Sequence, residues 1–555
     1  MKPPLTVAYF TMEVALSADI PTFAGGLGVL AADLMRSCAD LAVPTACVTM
    51  CWQHGYMHQE IAPDGTQSYS EVSWDPQKFM KLLPERVNVT LEGHNVTVAA
   101  WKYDLKGTES VLPIYFLDTN LPENREEDRD ITKYLYGGDG AMRIKQELIL
   151  GIGGVRMLRA LGYSDIGTFH MNEGHSAFLT LELLRERDFK DDDVRGSCAF
   201  TTHTPVKAGH DVFNYDLAWK IAGENLPWHI KKLAGEEQLS MTHLAMHLSH
   251  YTCGVSRVHG VVSNMMFPNE HIDFITNGIH HTHWVSKELG KLLDVSVPGW
   301  REDPSLLEKG NSHLSDADLW KAHQTAKKRL LKAIKPYTQQ ELNPDILTIA
   351  SARRVVSYKR PELLYTNLER LKEVGHGKIQ IIHAGNAHPQ DQFGQEVIKR
   401  MIERSHTLKD SITIVYVPNY NPDLAALLTA GADVWLNTPM RLHEASGTSG
   451  MKAAMNGVIN LSTLDGWWVE GYEQDSEAGW RIGPLAEALA DANEHRKIDA
   501  EDLYTQLQYE VIPEYYYENR ARWVHRMKRS IGLLSTFNTH RCIREYCEKA
   551  WRKNR

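Results

Sequence analysis

One lysine in an apolar setting carries the strongest chemical signal in this chain. Residues 444–457 read EASGTSGMKAAMNG and place Lys452 among Gly450, Met451, Ala453, Ala454 and Met455. A solvated helix face would carry several charges. An amine in this setting is poorly hydrated, which disfavours its charged form and should lower its pKa. Such a lysine suits Schiff-base chemistry with an aldehyde cofactor. The alternative is a stem packed on apolar neighbours with its ammonium group reaching to water.

Other groups with chemical potential follow apolar, strand-like runs. Residues 352–360, ARRVVSYKR, hold four cations, Arg353, Arg354, Lys359 and Arg360, just after such a run. Arginine offers a planar fork to phosphate oxygens and lysine a point charge; a solvated charge cluster has the same composition. Gly25, Gly26 and Gly28 lie between a strand-like segment and a helical one. Backbone N–H groups there can bind an anion, or the glycines serve only a tight turn. Their GGxG spacing is not the dinucleotide fingerprint. The HMNEGH run (His170 to His175) and the HHTH run (His280, His281, His283) lack the HExxH spacing and the companion ligands of a zinc site, so no metal is expected. They read better as substrate contacts, as do Thr202, His203 and Thr204.

The elements that must position these groups alternate between strand and helix. Apolar runs at 346–352, 379–383, 412–417, 433–436 and 458–461 are predicted strands. Helical patterns at 361–373, 392–404, 422–430 and 446–456 lie between them. That alternation implies βαβ units and a parallel sheet. The N-terminal half begins alike, with a strand at 6–10, a helix near 29–42 and a strand at 46–50; further strands are expected at 113–117 and 197–201. The fold class is α/β, with two doubly wound, Rossmann-like domains facing across a cleft and ligands beyond the strand carboxyl ends. The expected division is an N-terminal domain at 1–300, a helical link at 301–340 containing the charged helix 316–334, a C-terminal domain at 341–515, and helices at 516–555 packing back on the first domain.

Composition narrows the partners. The apolar fraction of 43% and charged fraction of 23% are those of a globular protein. A net charge of -10 without a basic run argues against nucleic acid. No apolar stretch is long enough for a membrane span, and no signal peptide is apparent. The seven scattered cysteines, without a CxxC pair, point to reduced thiols and a cytoplasmic location. A homo-oligomer is compatible with all of this.

Taken in order, these segments resemble the glycogen/α-glucan phosphorylase family of pyridoxal-phosphate enzymes, in a short prokaryotic form. The similarity covers AGGLGVLAAD at 24–33, RIKQE at 143–147, MNEGH at 171–175, TTHT at 201–204 and GVSRVH at 254–259. It continues through TNGIHHTHW at 276–284, ARRVVSYKR, PNYN at 418–421 and EASGTSGMK. The resemblance implies a GT-B-type architecture and reversible phosphorolysis of α-1,4-glucan (glycogen or maltodextrin) to α-glucose 1-phosphate, with retention and the cofactor phosphate as proton relay.

By the same resemblance Lys452 holds pyridoxal phosphate covalently, with Thr448 and Ser449 at its phosphate and Tyr420 and Trp284 near its ring. Arg354 and Lys359 match the positions that bind substrate phosphate. Gly25 and Gly26 match the loop over it, with Gly26 also on the cofactor side. His203, Asn277, Glu444, Ser446 and Gly447 match the glucosyl positions, and His175 lies in the corresponding loop. The catalytic set implied is Lys452, Arg354, Lys359, Glu444 and His203.

Asn386 stands where related chains carry lysine, which predicts one positive charge fewer near the phosphates. The loop after Tyr136 is shorter than in long relatives, and the chain starts at its first strand, so control through an N-terminal extension is not implied. Sugar-nucleotide-dependent glucan synthases share the glycine loop and Glu444 but carry a second glutamate where this chain has Lys452. A catalytically silent glucan-binding relative is opposed by the joint presence of Lys452, Arg354, Lys359 and Glu444.

Overall fold

The computed structural model describes residues 3–338, 341–484, 492–517 and 520–551. Two compact units divide the chain. One comprises residues 3–57, 71–276 and 539–551, the other 58–70 and 277–538. No helix among the described residues is long and apolar enough to cross a membrane.

In the first unit the strand Leu5–Phe10 lies inside a ten-stranded sheet. It pairs in parallel with Thr45–Met50 on one side and Ile166–Asn172 on the other, with Val7 opposite Thr45 and Thr168. Cys198–Thr201, Tyr251–Gly254 and Asp273–Phe274 continue beyond Ile166–Asn172, all parallel. On the other side come Val111–Asp118, parallel, and then the antiparallel strand His94–Lys106, which pairs with Lys81–Leu82 and Val87–Leu91. The central strands are buried on both faces, as a parallel sheet requires. Ala8 and Phe10 enter one core with Val48 and Met50, and Val7 and Tyr9 enter the other with Cys47. The helix Thr539–Lys549 closes that second core through Cys542, Ile543 and Tyr546.

The second unit carries a six-stranded parallel sheet in the order Thr413–Val417, Ile379–Ala384, Leu347–Ala352, Val434–Asn437, Ile459–Thr463, Gly479–Ile482. Every residue of Leu347–Ala352 and Ile379–Ala384 is buried. Counted along the chain, the parallel strands of both sheets run 3-2-1-4-5-6, and the first unit adds a seventh. This is the doubly wound α/β arrangement, in which ligands bind where the order reverses beside strand 1.

The units are drawn differently from the expected domains. The division falls at 276/277 and not near 300. The helix Asp316–Ile334 belongs to the second unit, because Leu330, Leu331 and Ile334 share a core with Ala350, Ile382 and Trp435. Of the C-terminal helices, Arg520–Gly532 counts with the second unit and Thr539–Lys549 with the first. Residues 518–519 and 552–555 of that expected segment lie outside the described residues.

A buried ion pair ties Asp316–Ile334 to the sheet. Lys327 Nζ donates to Asp433 Oδ2 (2.5 Å) and to the carbonyl of Ile346 (2.7 Å), and His323 Nε2 meets Asp433 Oδ1 at 2.8 Å. The Thr348 N–H also donates to Asp433 (2.7 Å). Burial alone would raise the carboxyl's pKa; Lys327 and His323 overcome this and hold it below the usual range. Asp433→Asn leaves the Lys327 charge buried without a counter-charge. The expected loss is about 3–5 kcal/mol of stability, measured by urea unfolding at neutral pH.

Candidate active site

Chemically capable residues collect at the carboxyl ends of strands 1, 4 and 5 of the first sheet. After Leu5–Phe10 the chain enters a fully pinned segment. Met12 donates its N–H to His175 Nε2 (3.2 Å) and accepts from Trp52 Nε1 (3.0 Å) at its carbonyl. The glycine loop follows, and the helix Gly26–Asp40 starts from it. Glu13 Oε2 already accepts the N–H groups of Ala24 (2.6 Å) and Gly25 (3.1 Å). An atom added at the Cβ position of Gly25 or Gly26 would meet nothing within 4 Å, so the loop has open space beside it.

Strand 4, Ile166–Asn172, ends in Glu173, whose φ of 80° is costly for a residue with a side chain. Its carboxylate accounts for the conformation. It accepts from its neighbour Gly174 (N–H, 2.9 Å) and from His203 (N–H, 2.7 Å) and Thr204 (Oγ1, 2.9 Å) after strand 5. Glu173 therefore fastens the loop carrying His175 to the loop carrying His203. The His203 ring meets Asn172 Oδ1 through Nε2 (2.6 Å), and Asn172 Nδ2 donates to Thr11 Oγ1 (3.0 Å). That orientation makes His203 Nε2 a donor and leaves Nδ1 as an acceptor. Burial, with His259 and His170 nearby, lowers His203 to about 3, and burial also takes His175 well below its ordinary value. Both rings are neutral and can only hydrogen-bond.

The second unit concentrates its groups after strands 1 and 4. Strand 1, Leu347–Ala352, delivers Arg353 and Arg354. Arg354 is exposed and makes no ion pair among the described residues. The Arg353 side chain is almost entirely buried, its Nε and Nη1 have no hydrogen-bond acceptor among the described residues, and its Nη1 lies 3.9 Å from Glu444 Oε2. Lys359 forms an ion pair with the same Glu444 oxygen. Arg360, at φ 45°, stitches this segment to the loop after strand 4. It donates to the carbonyls of Thr438 (2.9 Å) and Pro439 (3.0 Å) and to Asp499 (2.7 Å), which also takes a two-pronged pair from Arg441.

Asp465, after strand 5, accepts the N–H groups of His443 (3.1 Å), Glu444 (2.8 Å) and Gly466 (2.9 Å). It thereby fixes the backbone of the Glu444 loop. The expected helix over 446–456 is shorter and spans Ser449–Met455. Gly447 sits at φ 84°, outside the helical region, and the Ser446 carbonyl is taken by the Trp467 N–H (2.9 Å). Ser446 Oγ is buried and without a hydrogen-bond partner among the described residues, and Thr448 stands at the N-cap position of the helix that Ser449 begins, without a side-chain capping bond.

On that helix Lys452 is buried, and its Nζ lies 4.0 Å from the ring centre of Trp284. Asn456 fixes the pair by donating to the carbonyls of Trp284 (2.9 Å) and Lys452 (3.0 Å). A Cβ on Gly450 would stand 2.5 Å from Asn460 Oδ1 and 2.9 Å from the Trp467 indole nitrogen, so the lysine's helix needs glycine there. Asn277 is buried at the start of this unit.

Asn386 has a local explanation. Its side-chain amide accepts the Tyr420 N–H (3.1 Å) and donates to the Tyr420 carbonyl (3.1 Å), so it copies a peptide group. Lysine has no acceptor and could not make this pair. Burial raises the Tyr420 phenol to about 12, keeping it neutral, with Arg353 opposing the shift.

Of the expected site residues, Gly25, Gly26, His175 and His203 lie in the first unit. Trp284, Asn277, Arg354, Lys359, Tyr420, Glu444, Ser446, Gly447, Thr448, Ser449 and Lys452 lie in the second. Sequence reasoning missed Glu13, Glu173, Arg353 as a buried group, Asp465 and Asp499. For Asp465 the Asp-Gly pair was a readable turn signal; the others depend on distant partners. A helix start beside a buried amine fits an anionic, phosphate-bearing aldehyde cofactor, and the second unit's two arginines and lysine nearby fit anionic groups in general.

Comparisons with known proteins agree on one group. The family model described as carbohydrate phosphorylase matches residues 221–509. A maltodextrin phosphorylase of Thermococcus litoralis is 38% identical over 99% of this chain and 70% of its own length. A glycogen phosphorylase of Mycobacterium tuberculosis is 35% identical over 98% of this chain and 70% of its own. An uncharacterised protein of Methanocaldococcus jannaschii is 31% identical over the full length of both.

The buried histidines make a pH prediction. Burial lowers His170 to about 3 and His259 to about 4, and His203 and His175 are lowered likewise. In the unfolded chain these rings take up protons below about pH 6.5, and in the fold they do not. Stability therefore falls with pH from about 6.5 towards 4, by about 1.4 kcal/mol per pH unit for each ring that stays neutral. Urea unfolding across that window should show the decline; a flat profile would mean that the rings are charged in the fold.

Proposed function

Because the chain belongs to the carbohydrate phosphorylase family, we propose that it is an α-1,4-glucan phosphorylase. It moves the terminal glucosyl unit of glycogen or maltodextrin onto inorganic phosphate, reversibly, giving α-glucose 1-phosphate with retained configuration. The near-full-length similarity to enzymes named maltodextrin and glycogen phosphorylase supports this reading. The observation that carries the site assignment is Lys452, buried against Trp284 on the helix that follows the Glu444 loop.

We assign pyridoxal 5′-phosphate to Lys452, with Trp284 and Tyr420 packing near its ring and Thr448 and Ser449 at its phosphate. When bound, this cofactor supplies a phosphate group that can give and take a proton beside the substrate phosphate. The chain's own residues do the rest. Bringing two phosphates together is costly unless fixed positive charge offsets their repulsion. Arg354, exposed and without an ion pair among the described residues, and Lys359 bind the substrate phosphate. Lys359 is held by Glu444, so the glucosyl-binding loop and the phosphate-binding segment share one charge pair.

Glu444, with its N–H fixed by Asp465, orients the glucosyl unit and stabilises positive charge developing at its anomeric carbon. Ser446 Oγ and the Gly447 backbone add polar contacts to that unit, and Asn277 is assigned to the same unit. His203 serves as a neutral hydrogen-bonding group, with Nδ1 open to a sugar hydroxyl. The Nε2 of His175 is committed to Met12, so this ring shapes the loop first. Gly25 and Gly26 form the loop over the substrate phosphate.

Three measurements test the reading. Incubated with glucose 1-phosphate and a maltodextrin primer, the purified protein should release phosphate, and added pyridoxal phosphate should raise the rate of incompletely loaded protein. Lys452→Ala should abolish both the near-ultraviolet absorbance of the bound cofactor and the activity; an active Lys452→Ala enzyme would refute the assignment. Arg354→Ala or Lys359→Ala should raise the KM for phosphate by about tenfold or more, the value of one charge-assisted hydrogen bond, and leave the KM for glucan nearly unchanged. Equal losses for both substrates would remove these residues from the phosphate site.

A further inference from the structure

We propose that Glu13 is a positioning residue that holds the glycine loop at residues 24–28 in its anion-receiving shape and so sets the KM for phosphate. The inference rests on the reading of this loop as part of the phosphate site. It concerns a carboxylate that would ordinarily repel the substrate.

Glu13 is 2% exposed and accepts three hydrogen bonds. Oε2 takes the N–H groups of Ala24 (2.6 Å) and Gly25 (3.1 Å), and Oε1 takes the Tyr136 hydroxyl (2.9 Å). The backbone on either side of it is tied as well. Thr11 Oγ1 donates to the Glu13 carbonyl (3.1 Å), Val14 N–H to Thr22 (3.1 Å), and Ala15 N–H to Gly28 (2.9 Å). A Cβ on Gly28 would stand 2.9 Å from Oε2 and 3.2 Å from Cγ, so the carboxylate lies directly on the first turn of the helix Gly26–Asp40. The Tyr136 ring is held from behind by the Arg143 guanidinium, 4.9 Å from its centre. Arg143 is itself paired with Glu147 (2.9 Å) and Asp211 (2.8 Å).

This geometry divides the labour of the loop. Two of its N–H groups are spent on an internal anion, so they cannot hold the substrate. The N–H groups of Gly26 and Leu27 that follow have no intrahelical acceptor, and the loop borders open space at Gly26. A glycine loop without side chains has little to hold it in one shape. Glu13 supplies that hold and links it to Tyr136, the residue from which the GGDG turn departs.

The inference separates geometry from charge. In Glu13→Gln the amide oxygen can take both loop N–H groups while the amide nitrogen faces a Tyr136 hydroxyl free to rotate and accept. In Glu13→Ala nothing replaces the clamp. Steady-state phosphorolysis should show the KM for phosphate raised by about tenfold or more in Glu13→Ala, with the KM for glucan within about twofold. Glu13→Gln should recover most of the loss. The rise in unfolding temperature caused by inorganic phosphate should shrink in Glu13→Ala and return in Glu13→Gln.

An unchanged phosphate KM, or equal losses for phosphate and glucan, overturns the inference. If Glu13→Ala does not fold, Tyr136→Phe decides. It removes one donor only and should raise the phosphate KM by about two- to fivefold, the value of a single neutral hydrogen bond; no change overturns the proposal. A wild-type protein that releases no phosphate defeats the functional reading itself, whereas an active enzyme indifferent to Glu13 defeats only this inference.

Discussion

Parallel strands cannot be joined by tight turns, so every connection must cross a face of the sheet before the next strand begins. In both units the crossovers wind outward from strand 1, first to one side and then to the other. The loops leaving strands 1 and 4 are therefore neighbours that turn away from each other. Nearly all the chemistry grows from that divergence. In the first unit it sets the glycine loop after strand 1 beside the buried His175 loop after strand 4. In the second it sets Arg353, Arg354 and Lys359 after strand 1 beside Glu444 and Lys452 after strand 4.

Loops at such a point have few apolar contacts to fix them, and this chain fixes them with buried and half-buried carboxylates. Glu173 joins the loops after strands 4 and 5 of the first sheet. Asp465 holds two consecutive N–H groups at Glu444, and Asp499 gathers Arg360 and Arg441. Asp433 fastens a long helix to the second sheet through Lys327. Each carboxylate accepts several donors, which offsets the cost of burial; at Asp465 burial still outweighs them and raises the carboxyl to about 7. The result is a polar frame around Lys359, Glu444 and Lys452.

How much of this was legible depended on the range of the interactions. Leu347–Ala352 and Ile379–Ala384 were readable because strands buried on both faces are mostly apolar runs rich in isoleucine and leucine, bounded by predicted helices. Asp316–Ile334 was readable as a charged helix. Ile166–Asn172 was not, since glycine, threonine, histidine and asparagine interrupt its sequence, and Tyr251–Gly254 and Gly479–Ile482 are too short to show a period. Within the site, Lys452 stood out because its neighbours alone made it unusual. Glu173 did not, because its role depends on residues 30 positions away and on a backbone angle that no local pattern reveals. Asp499 reaches Arg360 across 139 positions. Asn386 was read as a missing charge; only its paired hydrogen bonds with Tyr420 show why an amide stands there.

The helix Thr539–Lys549 fills the second core of the first unit, although the chain has built all of residues 277–538 in between. During translation the ribosome therefore releases the first sheet with one of its faces covered by the helix Gly26–Asp40 but not yet by Thr539–Lys549. Tyr9, Leu34 and Cys38 must wait for Cys542, Ile543 and Tyr546 to emerge before that face is sealed. For most of its synthesis this polypeptide carries an open apolar surface, the kind that molecular chaperones shield.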